Sequence, residues 1–153
     1  MIAEVRRILL AEDDPNDVEL TLTVLGDHNL ANEVDVVRDG EQALDYLRRR
    51  GAWAARPSIN PALLLLDLKM PKLDGLDVLR EIKGDPALCT IPVVILTSSR
   101  EEQDLVRSYR LGVNAYVVKP VGFAEFVEAV RQIGIFWAVI NQAPPARMDE
   151  ATR

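Results

Sequence analysis

Short apolar runs alternate with longer amphipathic segments along this chain, and each apolar run ends in polar residues. Continuous apolar runs are typical of strands that are buried on both faces of a sheet. Strands are predicted at residues 5–11, 33–37, 62–67, 91–97 and 115–120. The longer segments repeat apolar residues at helical spacing, and several of them begin with a capping residue. Helices are predicted at residues 15–29, 39–51, 74–86, 98–112 and from 122 onward.

Five strands that alternate with five helices define an α/β protein, and short crossovers make the strands parallel. We expect a doubly wound, five-stranded parallel sheet in the order 2-1-3-4-5, which is a flavodoxin-like architecture. A length of 153 residues suits one domain, which we place at residues 1–141. The proline-containing polar segment 142–153 is predicted to be a flexible C-terminal tail.

Composition excludes several classes of function. The formal net charge of -6 argues against binding to nucleic acid or to an acidic membrane surface, because both require a basic surface. Cys89 is the single cysteine, so neither a disulfide framework nor a thiolate metal site is expected. We found no segment resembling a signal peptide or a membrane span. We therefore expect a cytoplasmic protein with no nucleic-acid partner and no membrane partner.

Polar residues with useful chemistry follow four of the predicted strands. They are Glu12, Asp13 and Asp14 after the first strand, Asp67 at the end of the third, Thr97 at the end of the fourth, and Lys119 with Pro120 at the end of the fifth. Each of these residues alone has a simple structural explanation as a cap, a turn or a strand end. Together they should meet, because the carboxyl ends of parallel strands share one edge of the sheet.

Several carboxylates at one edge repel each other, and a divalent cation would relieve that repulsion. Oxygen ligands without histidine or cysteine suit Mg²⁺. Lys119 offers a second positive charge near Asp67, and the Thr97 hydroxyl can donate to a bound anion. A carboxylate nucleophile, a cation, an ammonium and a hydroxyl are the groups that phosphoryl transfer requires, and the product would be an aspartyl phosphate.

The segments "ILLAEDDPND", "LLLLDLKMPKLDG", "VVILTSS" and "AYVVKP" resemble the receiver domain of two-component response regulators. The resemblance runs from about Val5 to Ile140 and implies a metal site and a phosphoacceptor. Asp67 matches the phosphoacceptor, and Asp13 matches a direct Mg²⁺ ligand. Glu12 matches an acidic neighbour that acts through water, and Lys69 matches a residue whose backbone carbonyl binds the metal. Asp14 falls outside this pattern.

The same resemblance implies roles for residues of the fourth and fifth strands. Thr97 matches a hydroxyl that moves toward the phosphoryl group, and Lys119 matches a lysine that pairs with it. The Lys119–Pro120 peptide is expected to be cis, and Tyr116 matches an aromatic switch residue. The phosphoryl donor would be a sensor histidine kinase, and the chain would catalyse only its own phosphorylation and dephosphorylation.

Signalling is expected to occur by protein contact with an unknown downstream partner, because no output domain follows the last predicted helix. Toward its end, that helix has apolar residues on nearly every side. One side can pack on the core, so a second surface is predicted to cover the others. We expect a homodimer through the fourth helix, the fifth strand and the fifth helix, with folding back of Pro144 and Pro145 as the alternative. The segments "IFWAVINQAPP" and "TSSREEQD" also resemble stand-alone receivers that are paired with bacterial phytochrome kinases.

Two other classes of function share parts of this pattern. A flavodoxin-like redox module has a similar strand order, but carboxylates after the first strand would repel a flavin phosphate. A phosphatase with an aspartate nucleophile is the second alternative. Such enzymes usually carry another acid two positions after the nucleophile, where this chain has Lys69. Yellow colour would indicate the first alternative, and turnover of a phosphomonoester would indicate the second.

Overall fold

The computed structural model describes residues 7–27, 33–57, 59–98, 107, 110–113 and 115–132. Within them lies one parallel sheet with strands β1 (Arg7–Ala11), β2 (Glu33–Val37), β3 (Leu63–Asp67), β4 (Val93–Thr97) and β5 (Ala115–Val118). The strand order is β2-β1-β3-β4-β5, and every neighbouring pair is parallel. This order confirms the predicted doubly wound architecture, which changes winding direction between β1 and β3.

The described helices follow the strands at the predicted places. They are α1 (Pro15–Asp27), α2 (Gly40–Arg48), α3 (Gly75–Lys83) and α4 (Phe123–Gln132), with a short 3₁₀ helix at Gly51–Trp53. The predicted helix at 98–112 lies mostly outside the described residues, although Arg107 and Arg110 are helical. The tail at 142–153 also lies outside them. No helix in the described part of the chain is both long and apolar enough to cross a membrane.

Element boundaries differ from the predicted ones by a few residues, for local reasons. Strand β4 begins at Val93 rather than at residue 91, directly after Pro92, which has no backbone N–H to donate. Helix α2 ends at Arg48 rather than at residue 51, because Arg49 adopts a left-handed conformation at φ 55° and closes the helix. Helix α3 ends at Lys83, with Gly84 as its C-terminal cap, instead of continuing to Pro86.

Both faces of the sheet are covered, so the chain has an apolar core on each side. Successive leucines of β3 point to opposite faces, with Leu63 and Leu65 in one core and Leu64 and Leu66 in the other. The first core includes α1 and α4, and the second includes α2 and α3. All four leucines are fully buried. Burying each of them contributes about 2 kcal/mol, which fixes β3 in the middle of the protein.

Capping residues fix where two helices start, on the side of the sheet where the strands end. The Asp14 carboxylate accepts hydrogen bonds from the amides of Asn16 (2.8 Å) and Asp17 (3.3 Å), which caps α1. Asp74 and Asp77 form a reciprocal capping box at the start of α3. These caps place the first turns of α1 and α3 beside the carboxyl ends of β1 and β3.

Candidate metal and phosphoacceptor site

Three carboxylates gather at the carboxyl edge of the sheet. Glu12 and Asp13 follow β1, and Asp67 is the last residue of β3, the strand next to β1. One carboxylate oxygen of each residue lies within 4.8 Å of the others. Glu12 and Asp67 are buried, whereas Asp13 is exposed. The structure therefore brings together three of the predicted site residues, which are up to 55 positions apart in sequence.

The donor atoms of this cluster suit a hard divalent cation, since all three are carboxylate oxygens. The electrostatics of Asp67 point the same way. Burial and the neighbouring Glu12 raise the pKa of Asp67 from its ordinary value of 3.8 to about 7, although Lys119 and the Lys69 backbone amide oppose the shift. The positive charge around the buried Asp67 carboxylate is thus too small to offset its burial and the charge of Glu12. A Mg²⁺ ion would supply more positive charge, so the residues fit the predicted metal.

Lys119 reaches the same cluster from the segment after β5. Its Nζ lies 2.9 Å from Glu12 Oε1, 2.9 Å from Asp17 Oδ2 and 3.4 Å from Asp67 Oδ2. Burial alone would lower the pKa of Lys119, but the hydrogen bonds to Glu12 and Asp17 and the charge of Asp67 outweigh burial and raise it. Lys119 therefore stays positively charged beside the candidate phosphoacceptor.

The remaining predicted residues occupy different positions around this edge. Thr97 is the last residue of β4 and is buried, and its carbonyl accepts a hydrogen bond from the Lys119 amide at 2.8 Å. Lys69 is exposed in the loop after β3, where its backbone amide hydrogen-bonds Asp67. Tyr116 lies on β5 with 37% of its surface exposed. The Lys119–Pro120 peptide is cis, as the resemblance implied.

Asp17 is a site residue that the sequence analysis missed. It lies in the first turn of α1 and contacts Lys119, a residue 102 positions away along the chain. A signal for it was present, since Asp17 lies in the first turn of the helix that follows the acidic triplet, on the side of the sheet where the strands end.

A doubly wound parallel sheet with clustered carboxylates and a lysine at its carboxyl edge is typical of phosphoacceptor signalling domains. Residues 8–131 of the chain match the response regulator receiver domain family, and the chain is a member of that family.

Individual relatives support the same assignment. The chain is 40% identical over 139 residues to response regulator Rcp1 of Synechocystis sp. (strain ATCC 27184 / PCC 6803 / Kazusa), covering 91% of this chain and 93% of Rcp1. The structure of the Mn²⁺-bound form of Rcp1 is similar with a TM-score of 0.73 at 39% identity, over 91% of this chain and 97% of that chain.

Two further solved structures are similar over most of their length. The bacteriophytochrome response regulator AtBRR is 61% identical, with a TM-score of 0.84 over 92% of this chain and 100% of that chain. The phosphorylated cyanobacterial phytochrome response regulator RcpA is 40% identical, with a TM-score of 0.74 over 93% of this chain and 99% of that chain. The likeness thus extends to phytochrome response regulators.

The raised pKa of Asp67 predicts a pH-dependent effect of the Asp67→Asn substitution on stability. A carboxyl group whose pKa is higher in the folded protein costs no stability below pH 4 and destabilises the fold as the pH rises toward 7. We expect Asp67→Asn to melt about 4–8 °C higher than the metal-free wild type at pH 8, which corresponds to about 2 kcal/mol. Calorimetry in the presence of a chelator measures this difference.

Two further measurements check the cause of that shift. The difference between the two proteins should shrink toward zero near pH 4, where Asp67 is protonated in the folded wild type. Added Mg²⁺ should raise the melting temperature of the wild type more than that of the variant. Equal melting temperatures at pH 8 would show that Asp67 carries no electrostatic strain.

Proposed function

We propose that the protein is a response regulator that accepts a phosphoryl group on Asp67 from a sensor histidine kinase, with Mg²⁺ bound, and signals by protein contact. The observation that carries this proposal is the position of Asp67, buried at a strand end with two carboxylates and the Lys119 ammonium around it. Such an arrangement stabilises charge that develops during phosphoryl transfer.

Asp67, Lys119 and Thr97 have different roles in phosphoryl acceptance. A carboxylate oxygen of Asp67 attacks phosphorus and forms a new P–O bond, while the P–N bond to the donor histidine breaks and its electron pair returns to the imidazole nitrogen. The Lys119 ammonium neutralises charge on the phosphoryl oxygens, and the Thr97 hydroxyl donates a hydrogen bond to one of them. Hydrolysis later releases phosphate and regenerates Asp67, so the chain is a phosphoprotein rather than an enzyme with a separate substrate.

The metal is proposed to bind through the carboxylates of Asp13 and Asp67 and the backbone carbonyl of Lys69, with Glu12 acting through water. When bound, Mg²⁺ supplies positive charge that offsets the carboxylates and the incoming phosphoryl oxygens. The Mn²⁺-bound form of Rcp1 supports a divalent cation in this family. Glu12 also has a second role, because its fully buried side chain accepts a hydrogen bond from the Lys119 ammonium and holds it in place.

The phosphoryl donor is proposed to be a bacterial phytochrome-type sensor kinase in the cytoplasm. Support comes from AtBRR, a bacteriophytochrome response regulator that is 61% identical over nearly all of this chain. A single cysteine, free in the structure, fits a reducing compartment. The acidic residues after β1 disfavour the redox alternative, and Lys69 disfavours the phosphatase alternative.

The output surface is proposed to be a homodimer interface formed by β5, α4 and the predicted helix at 98–112, with Tyr116 as the switch residue. Tyr116 is exposed on β5 and lines one groove together with the α4 residues Ala124, Glu125 and Glu128. The apolar end of the last predicted helix, which suggested the dimer, lies outside the described residues. Phosphorylation would add negative charge at Asp67 and bias this face between two arrangements.

Acetyl phosphate tests the proposed chemistry without a kinase. We expect the wild-type protein to gain the mass of one phosphoryl group in the presence of Mg²⁺, because Mg²⁺ offsets the repulsion between the carboxylates and the incoming anion. A chelator should abolish the gain, and peptide mapping should place the group on Asp67. Intact-mass spectrometry makes the measurement. A protein that gains no mass at saturating Mg²⁺ would contradict the proposal.

A further inference from the structure

Lys119 places an ammonium beside Asp67, but its shortest contacts are with two other carboxylates. The Nζ atom lies 2.9 Å from Glu12 and 2.9 Å from Asp17, compared with 3.4 Å from Asp67. An ammonium has three N–H donors. Two of them are directed to Glu12 and Asp17, which leaves the third for an oxygen atom at Asp67.

Asp17 differs from the other two partners of Lys119 because it does not belong to the cluster of possible metal ligands. That cluster consists of Glu12, Asp13 and Asp67. The positive charge of a cation bound there would offset the negative charge of Glu12 and Asp67. Their attraction for the Lys119 ammonium would therefore become weaker. The Asp17 carboxylate would keep its full charge for Lys119. The side chains of Lys119 and Asp17 are only 9% and 29% exposed, so water screens this pair less than a surface ion pair.

Both partners of this pair are held by their backbones. The Asp17 amide donates to the capping carboxylate of Asp14 in the first turn of α1. The Lys119 amide donates to the Thr97 carbonyl at the end of β4. The ion pair therefore joins two ordered segments, the first turn of α1 and the chain after β5. It can fix the direction of the ammonium more firmly than a contact between mobile side chains would.

We propose that Asp17 is a positioning residue for phosphoryl acceptance. It anchors the Lys119 ammonium so that one N–H points to the oxygen atoms at Asp67 when Glu12 and Asp67 are engaged with a cation. This role rests on the proposed function, since it concerns the same phosphoryl transfer. Without Asp17, the ammonium would lose the partner that lies outside the metal cluster, and it would meet the incoming phosphoryl group less often in a productive orientation.

The first test compares rates of phosphorylation by acetyl phosphate at saturating Mg²⁺. We expect Asp17→Asn to react about tenfold more slowly than the wild type, as for the loss of one charge-assisted hydrogen bond. Asp17→Glu keeps the charge and should recover most of the rate. Glu19→Gln removes a carboxylate from an exposed position of α1 and should react at the wild-type rate. A wild type that does not react would overturn the proposed function, whereas equal rates would overturn the role of Asp17 alone.

The second test separates positioning from a merely structural ion pair. In a Lys119→Ala background, Asp17→Asn should have no further effect on the rate, because Asp17 acts through Lys119. In the metal-free protein, an amine-acylating reagent should label Lys119 several-fold faster in Asp17→Asn, because the amine loses a partner that holds and shields it. If Lys119→Ala is phosphorylated too slowly to measure, the labelling still separates positioning from a merely structural ion pair. Additive losses of rate, unchanged labelling or faster phosphorylation of Asp17→Asn would each reject the role.

Discussion

Asp67→Asn is expected to accept no phosphoryl group, either from acetyl phosphate or from a cognate kinase. The substitution keeps the shape of the side chain but replaces a carboxylate oxygen with an amide, which is a poor nucleophile. The loss should be complete, because Asp67 is the proposed nucleophile, and its carboxylate is buried at the end of β3 in contact with the Lys119 ammonium. Intact-mass spectrometry with Mg²⁺ present measures it, and the variant should gain no mass.

Asp45→Asn is the matched control for this substitution. Asp45 lies on α2, where its carboxylate pairs with the exposed Arg50 at 3.5 Å, and the change alters the same atoms and the same charge. This control should gain one phosphoryl group as the wild type does. Phosphorylation of Asp67→Asn at Asp13, found by peptide mapping, would show that the cluster accepts the group without a dedicated nucleophile.

The sheet could be predicted from the sequence because its strands are local patterns. The four leucines before Asp67 need burial on both faces, and a run so short, bounded by polar and proline-containing loops, predicts a central parallel strand. The site could also be predicted in outline, because parallel strands deliver their last residues to one edge. Glu12, Asp13 and Asp67 meet there for this reason.

Contacts between residues distant in sequence could not be predicted in the same way. Lys119 pairs with Asp17 only because the first turn of α1 is folded against the end of β5. Another example is the buried Tyr46, whose hydroxyl donates to Asp35 on β2 at 2.7 Å. Helical periodicity places Tyr46 in the core, but no pattern in the sequence predicts which strand residue accepts the hydrogen bond from its hydroxyl.

Close backbone approaches are a third feature that no periodicity reveals. The sequence suggests Gly75 only as the residue after the helix cap Asp74. In the structure, a Cβ atom at Gly75 would overlap the carbonyl oxygen of Asp67 and would lie 2.7 Å from the Cα of Leu68. The Gly75 amide also donates to the Leu68 carbonyl at 2.7 Å. The start of α3 therefore packs directly against the backbone of the candidate phosphoacceptor.

Gly75→Ala is accordingly expected to lower the free energy of unfolding by about 3 kcal/mol, because the atoms that must move are backbone atoms of a central strand. The midpoint of urea denaturation measures this change. The same displacement moves Asp67 away from Glu12 and Lys119, so the variant that remains folded should also take up a phosphoryl group more slowly from acetyl phosphate.

Gly26→Ala provides the matched control, since it makes the same chemical change within α1. No atom lies within 4 Å of a Cβ built at Gly26, and the residue is exposed. Alanine favours a helix over glycine by about 1 kcal/mol, so this substitution should raise the midpoint slightly and leave phosphorylation unchanged. If Gly75→Ala had the same urea midpoint as the wild type, the backbone after β3 would have to shift without lowering the free energy of unfolding. The close packing of α3 against Asp67 would then have no part in holding the site.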